Sequence, residues 1–329
     1  MKISVVGDVR DPVETGLARL GHDIAFDPVG ADVGETVAGL VLRWRTDPPD
    51  LVHARGAAAG VVALFASRES GVPLVQSFGG VEVGRRDGDA ERSKVERLLG
   101  RAAAHVLAVG DDQRAALLGM GVRRSKISVV PTAVDTSAYH PGGRAAPRSG
   151  CSRLVAVGDP LPERGFQDVV TSLRSLPGTE LVLSASPDGP CARRLAAHAD
   201  VCGVGDRVRF DGGTALPDLL RSADAAVCPA RFGADPSAAL KAMACGVPVV
   251  ATAVGVLPET VVDGVTGRLV PPRDIAALAR ALRTVLTTNG LRQAFGMASV
   301  ERVHARYAVE QIAEETANVF HLLVSSRAA

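Results

Sequence analysis

The chain has 329 residues, 47% of them hydrophobic and 22% charged, with 37 Lys and Arg against 36 Asp and Glu, for a formal net charge of +1. That length is long for one core and comfortable for two domains, and the balanced charge excludes a global field that recruits nucleic acid or an anionic membrane. Five cysteines, Cys151, Cys191, Cys202, Cys228 and Cys245, are odd in number, widely spaced and free of metal-ligand spacing. They read as reduced structural thiols in apolar surroundings, which predicts a cytoplasmic protein with no metal. The N-terminal run MKISVVG meets Asp8 too early for a signal peptide. No stretch of about 18 uncharged apolar residues follows, so the chain is predicted to be soluble or at most peripheral.

In chain order, Lys2 to Gly7 reads as an apolar strand, Pro12 to Leu20 as a helix and His22 to Phe26 as a second strand. Short apolar runs at Leu51 to His53, Pro73 to Gln76, Val106 to Ala108 and Ile127 to Val130 alternate with helical stretches at Glu35 to Arg45, Ala57 to Glu69, Glu91 to Ala104 and Asp112 to Leu118. That alternation predicts a doubly wound α/β sheet. His53 and Arg55 fall just past a strand end, where the ordinary reading is a loop histidine beside a solvated arginine. The segment VQSFG resembles a nucleophile elbow, but it lacks the first glycine, and no ordered acid and histidine follow. Asp87, Gly88 and Asp89 read as a polar turn rather than a metal-binding triplet. Arg85, Arg86, Arg92, Lys94, Arg97 and Arg101 make a basic face. Such a face is either solvated or rests weakly on anionic lipid, at about 1 kcal/mol per cation.

Ser137 to Ser149 is rich in Gly and Pro and poor in apolar residues, which marks a linker. The predicted layout is a first domain over 1–140, a linker over 141–150, a second domain over 151–305 and a closing helix over 306–329. In the second domain, strands are predicted at Leu154 to Val157, Glu180 to Ser184, Val208 to Phe210, Ala225 to Cys228 and Val247 to Ala251. Helices are predicted at Gly165 to Ser175, Ala192 to Ala199, Leu216 to Ser222, Ser237 to Ala244 and Ile275 to Thr287, with a last one at Val309 to Leu323. Asp235 reads as the N-cap of the helix that follows it, with Pro236 in its first turn and Gly246 as its stop. A strand, a capped helix and another strand in succession place a ligand crevice at the carboxyl ends of the strands.

The run MACGVPVVATAVGVLPETVVDGVTGRLVPPRD, from Met243 to Asp274, together with PDLVHARG, ISVVPTAVD, VGDPLPERGFQD and DRVRFDGG, resembles the family-4 retaining glycosyltransferases. The resemblance implies the GT-B fold, with two Rossmann-like parallel-sheet domains facing a cleft and a tail helix crossing back to the first domain. It implies a nucleotide sugar as donor substrate and a small-molecule or glycan acceptor, without metal or bound cofactor. In that family a glycine-rich loop follows the first strand, and here only Asp8 to Asp11 stand in its place.

The family's diphosphate contacts, an Arg and a Lys, correspond to Asp159 and Arg164 in GDPLPERG. Its two glutamates, eight positions apart, correspond to Gly233 and Lys241, and its acceptor-side histidine corresponds to Gly79. Lys241 cannot accept a hydrogen bond from a ribose hydroxyl, Pro236 has no amide hydrogen for a phosphate, and Asp235 brings an anion to the helix start. The donor-side candidates are therefore Gly158, Asp159, Arg164, Gly233, Asp235, Ser237 and Lys241, and the acceptor-side candidates are His53, Arg55, Ser77 and Gly79. Two functions follow from these residues. One is transfer of a sugar from a nucleotide sugar, with Arg164 and Lys241 re-forming a cationic site. The other is a degenerate relative that acts as a binding module or as the partner of an active glycosyltransferase.

Overall fold

The computed structural model describes residues 1–8, 11–78, 90–148, 150–233 and 235–328. The chain divides into two compact units, one made of Met1–Ala133 with Val309–Ala329 and the other of Val134–Ala308. In the first unit the strands are β1 (Lys2–Val6), β2 (Asp23–Asp27), β3 (Leu51–Arg55), β4 (Leu74–Ser77), β5 (His105–Ala108) and β6 (Ile127–Val129). Between them lie α1 (Pro12–Arg19), α2 (Val33–Thr46), α3 (Ala57–Ser70), α4 (Ala90–Ala102) and α5 (Asp111–Gly119). The strands pair in parallel in the order β2-β1-β3-β4-β5-β6. Strand order therefore reverses between β1 and β3.

The second unit carries β7 (Ser152–Val157), α6 (Phe166–Ser172), β8 (Thr179–Ser184), α7 (Pro190–Val201), β9 (Val208–Phe210), α8 (Leu216–Arg221), β10 (Ala225–Cys228) and α9 (Ser237–Ala244). It continues with β11 (Val249–Thr252), α10 (Leu257–Thr260), β12 (Gly267–Val270), α11 (Ile275–Thr287) and α12 (Asn289–Arg306). Its sheet is again parallel, in the order β12-β11-β10-β7-β8-β9, and reverses between β7 and β10. Two parallel sheets flanked by helices give a GT-B-like architecture of two Rossmann-type domains. A parallel sheet covered on both faces requires apolar side chains in both directions, and Leu154, Val155 and Ala156 on β7 are all fully buried.

Local chemistry fixes several boundaries. The carboxylates of Asp32 and Asp274 accept from the amides of Glu35 and Ala277 at 3.0 and 2.8 Å and start α2 and α11. Gly71, at φ +76°, ends α3 in the left-handed conformation that glycine adopts without strain. The last helix, α13 (Val309–Ala328), packs within the first unit, where Ile312, Ala313 and Phe320 share a core with Ile3, Leu17 and Leu51. Gly16 permits the approach, because a Cβ there would lie 2.6 Å from that of Ala313.

The structure differs from the sequence reading at several points. Within the stretch read as a linker, residues 139–148 are held against the second unit. Tyr139 packs on that unit's core, Ala146 donates its amide to Asp218 at 2.9 Å, and Arg148 pairs with Asp224 at 2.5 Å. Helix α12, strand β12 and the short α10 carried no recognised sequence signal. Strand β3 runs on through Arg55, so His53 and Arg55 lie inside the strand rather than past it. Helix α9 starts at Ser237 with Pro236 in the capping position, one residue later than an Asp235 cap requires. Cys151 is exposed rather than set in apolar surroundings, and all five cysteines are free thiols.

Helix α12 contains Gly296, where a Cβ would sit 2.3 Å from the carbonyl oxygen of Gly246. Gly296→Ala would gain about 0.8–1 kcal/mol of helix propensity but forces α12 away from that backbone, at a cost of about 1–3 kcal/mol. The expected net result is a lower urea midpoint, and an unchanged or higher midpoint would refute the close approach.

Candidate functional site

In an open parallel sheet, ligands meet the crevice where strand order reverses. In the second unit that point lies beyond the ends of β7 and β10. The loop after β7 begins with Gly158 at φ +99° and closes at Gly165 at φ +69°. A Cβ on Gly165 would fall 2.0 Å from the carbonyl oxygen of Pro229, so the two loops press backbone against backbone. Arg231 locks them together. Its amide donates to Glu163 O at 2.8 Å, and its guanidinium spans the Asp168 carboxylate at 2.8 and 3.4 Å. From β11, the Thr252 hydroxyl donates to Ala230 O at 2.5 Å.

Around this frame stand the donor-side candidates. Arg164 lies over Gly158, where an added Cβ would meet its Nη1 at 2.8 Å, and Nη1 donates to Val157 O at 3.3 Å. Asp159 is exposed on the same loop. Asp235 is also exposed, and its carboxylate accepts from the Ser237 amide at 3.0 Å and from the Ser237 hydroxyl. An amide at the start of α9 is thus already satisfied by an anion of the chain itself. Burial pushes the Cys228 thiol, at the end of β10, up to about 12; Arg164 opposes that shift and Asp235 adds to it, so both charges act on this strand end.

Lys241 is elsewhere. Its Nζ lies 5.5 Å from the centre of the Tyr139 ring, a cation–π contact with the stretch that precedes β7. Gly233 has φ +41°, where a side chain is strained. Arg164, Asp159 and Asp235 with Ser237 therefore gather around the switch point, while Lys241 is committed to an aromatic ring.

The first unit's switch point lies beyond β1 and β3, and Arg55 occupies it. Its guanidinium pairs with Asp11 at 2.5 Å and with Glu14 at 3.2 Å. Burial raises the Glu14 pKa against the opposing pull of Arg55, and Glu14 Oε2 has no hydrogen-bond partner among the described residues. His53 is buried, with Nε2 2.7 Å from Ser77 Oγ and its ring edge-on to Phe320 at 5.6 Å between centroids. Neither residue matches the reading of a loop histidine with a solvated arginine. Gly79, the Asp87 to Asp89 triplet, and Arg85, Arg86 and the side chain of Arg92 lie outside the described residues, as do positions 9–10 of the Asp8 to Asp11 loop. On the remainder of the basic face Lys94 and Arg97 are exposed, while Arg101 donates to Met120 O at 3.0 Å.

Asp11, Glu14, Asp168 and Arg231 escaped the sequence reading, because each contact joins residues 41 to 63 positions apart. The acidic turn DPVE gave a helix start and no hint of its cation. No cluster of three or more metal-ligating side chains occurs among the described residues, and no described helix is long and apolar enough to cross a membrane.

Two Rossmann-type units, each with its polar residues at a switch point, define a protein of the GT-B class. A model described as "Glycosyl transferase 4-like domain" matches residues 13–133, and one described as "Glycosyl transferases group 1" matches residues 148–302. Glycogen synthase of Mycobacterium tuberculosis is 29% identical over 341 residues, which cover 97% of this chain and 80% of that protein. Among solved structures, sucrose-phosphate synthase from Thermosynechococcus elongatus superposes with a TM-score of 0.88 at 22% identity, over 99% of this chain and 100% of that one. HepE of Anabaena, in complex with UDP-glucose, gives a TM-score of 0.82 at 20% identity, over 98% and 99%. The chain resembles the GT-B glycosyltransferases in both of its halves.

Burial drives His53 down to about 3 from an ordinary 6.5, with the Arg55 charge adding to the shift. The folded ring stays neutral while the unfolded one takes up a proton near 6.5. Its contribution to stability is therefore complete above that value and is lost as pH falls toward 3, at up to about 1.4 kcal/mol per pH unit. Unfolding free energies measured down to about pH 4.5 should fall less steeply in a His53→Asn variant than in the parent. Equal slopes would mean that the ring titrates normally in the fold.

Proposed function

We propose that the chain is a GT-B glycosyltransferase relative whose second unit receives a nucleotide sugar but holds its diphosphate too weakly for ordinary transfer, so that it works as a binding module or as the partner of an active glycosyltransferase. The contact of Asp235 with Ser237 carries this reading. Transfer breaks the bond between the sugar and its diphosphate and forms one from the sugar to an acceptor hydroxyl, and the departing diphosphate must meet positive potential. At the start of α9 the Asp235 carboxylate supplies the opposite sign, Pro236 has no amide hydrogen, and Asp159 adds a second anion. Lys241, at the position of a family glutamate, faces Tyr139 instead of a ribose. The left-handed backbone at Gly233 disfavours a carboxylate-bearing residue at the other glutamate position.

Arg164 favours a second reading, transfer of a sugar to an unidentified acceptor. Only its Nη1 is engaged, by a carbonyl, and the rest of the guanidinium has no hydrogen bond among the described residues, which leaves a fork suited to a phosphate. In that reading Gly158 and Ser237 allow close backbone approach. Arg55, His53 and Ser77 border the acceptor side. Arg55 is matched by two carboxylates, which suits a hydroxyl-rich acceptor better than an anionic one.

UDP-glucose bound to HepE and the glycogen synthase relative define the ligands to try: UDP, ADP and GDP with their glucose conjugates. Calorimetric titration should give weak binding to the parent chain and no release of free nucleotide, and no detectable binding to any of them would remove the nucleotide sugar from both readings. Asp159→Arg combined with Asp235→Asn should raise affinity at least roughly tenfold, and Arg164→Ala in that background should remove the gain. Tight binding with turnover by the parent chain would establish the second reading and end the first.

A further inference from the structure

Helices α2 and α3 enclose an open groove of about 610 Å³ on the surface of the first unit, away from its switch point. Its walls carry Val33, Val37, Leu42 and Phe65, and its charges are Arg45 and Glu69. Leu42 is 71% exposed, Phe65 51% and Val33 47%, although the layer beneath them, with Leu40, Trp44 and Val62, is closed. Exposed apolar side chains that share one groove mark an interaction surface, whereas scattered ones need no explanation.

The charges decide what fits it. Strands β2, β3 and β4 run parallel within one sheet, with β1 between β2 and β3, so α2 and α3, which return the chain to β3 and β4, run in the same direction, and the two helices pack against each other. Arg45 lies in the last turn of α2 and Glu69 in the last turn of α3. The two therefore stand at the same end of the groove on opposite walls, and neither forms an ion pair among the described residues. A twofold axis along the groove exchanges its walls. It brings Arg45 of one copy against Glu69 of the other twice over, while the apolar walls meet between them.

We propose that this groove is the interface of a twofold dimer of the chain. A self-complementary patch is what an isologous contact requires. A small molecule would need convergent polar groups along the floor, and both charges stand at one end. An anionic lipid surface would need an excess of cations, and here one cation is balanced by one anion. Aromatic and aliphatic side chains at the centre with a charged pair at the rim match the anatomy of protein interfaces.

The test is the mass of the full chain by light scattering and sedimentation equilibrium at tens of micromolar concentration. The parent should have twice the 33.9 kDa of one chain. Leu42→Arg and Phe65→Glu, both at exposed positions, should be monomeric and still unfold cooperatively, with a midpoint that no longer depends on protein concentration. Arg45→Glu should weaken dimerisation at least roughly tenfold, since each dimer then holds two repulsive contacts, and Arg45→Glu with Glu69→Arg should restore it. A monomeric parent, a dimer that survives Leu42→Arg and Phe65→Glu, or a charge swap that fails to rescue each overturns the proposal.

Discussion

A parallel sheet covered by helices on both faces leaves few places for a polar side chain, and the point of strand reversal is one of them. Both units obey this constraint. Beyond β1 and β3 the structure gathers Arg55, Asp11 and Glu14, and beyond β7 and β10 it gathers Arg164, Asp159, Arg231 and Asp168. Elsewhere in the sheets two polar pairs are matched within the layer. Arg153 on β7 reaches Glu180 on β8 at 2.7 Å, and His105 on β5 reaches Ser128 on β6 at 2.9 Å. The chemistry open to the protein is thus decided by which charges stand at two loop clusters.

At the second cluster several of the polar groups are occupied within the chain. Arg231 and Asp168 hold two loops in place, and the Asp235 carboxylate takes up the amide and hydroxyl of Ser237. In the proposed function, a scaffold that resembles glycosyltransferases in both halves carries a diphosphate site whose potential is reduced from within. Nothing in the packing is sacrificed: Leu240, Ala242 and Met243 of α9 are completely buried. The core face of α9 and the residues at its start are different side chains, so the start of the helix can change while its packing stays.

The fold was legible wherever the apolar pattern was strong. Val208–Phe210, Ala225–Cys228, Ser237–Ala244 and Ile275–Thr287 run as read, since a short apolar run between breakers or an apolar stripe at helical spacing leaves little choice. Helix α12 was illegible because it buries only Phe295, Gly296, Ser299 and Val303, too sparse a stripe to read, and its glycine serves a contact with Gly246 instead of a turn. Strand β12 begins with Gly267, whose missing Cβ makes room for the carbonyl oxygen of Val249, so its most constrained residue has no strand propensity. At the site, residue identities were readable and their partners were not. Lys241 meets a ring about a hundred positions earlier, and the Arg55 pairs close across α1 and β3.

The membership of α13 in the first unit has a consequence in time. Residues 134–308 form a continuous segment with its own sheet and core, whereas the first unit's core needs Ile312, Ala313 and Phe320, which leave the ribosome only after that entire segment. Synthesis therefore delivers the later unit complete while the earlier one still exposes the apolar surface of Ile3, Leu17 and Leu51. The half that is made first is the half that finishes last, and until its closing helix arrives it is the part of the nascent chain most open to aggregation and to chaperones.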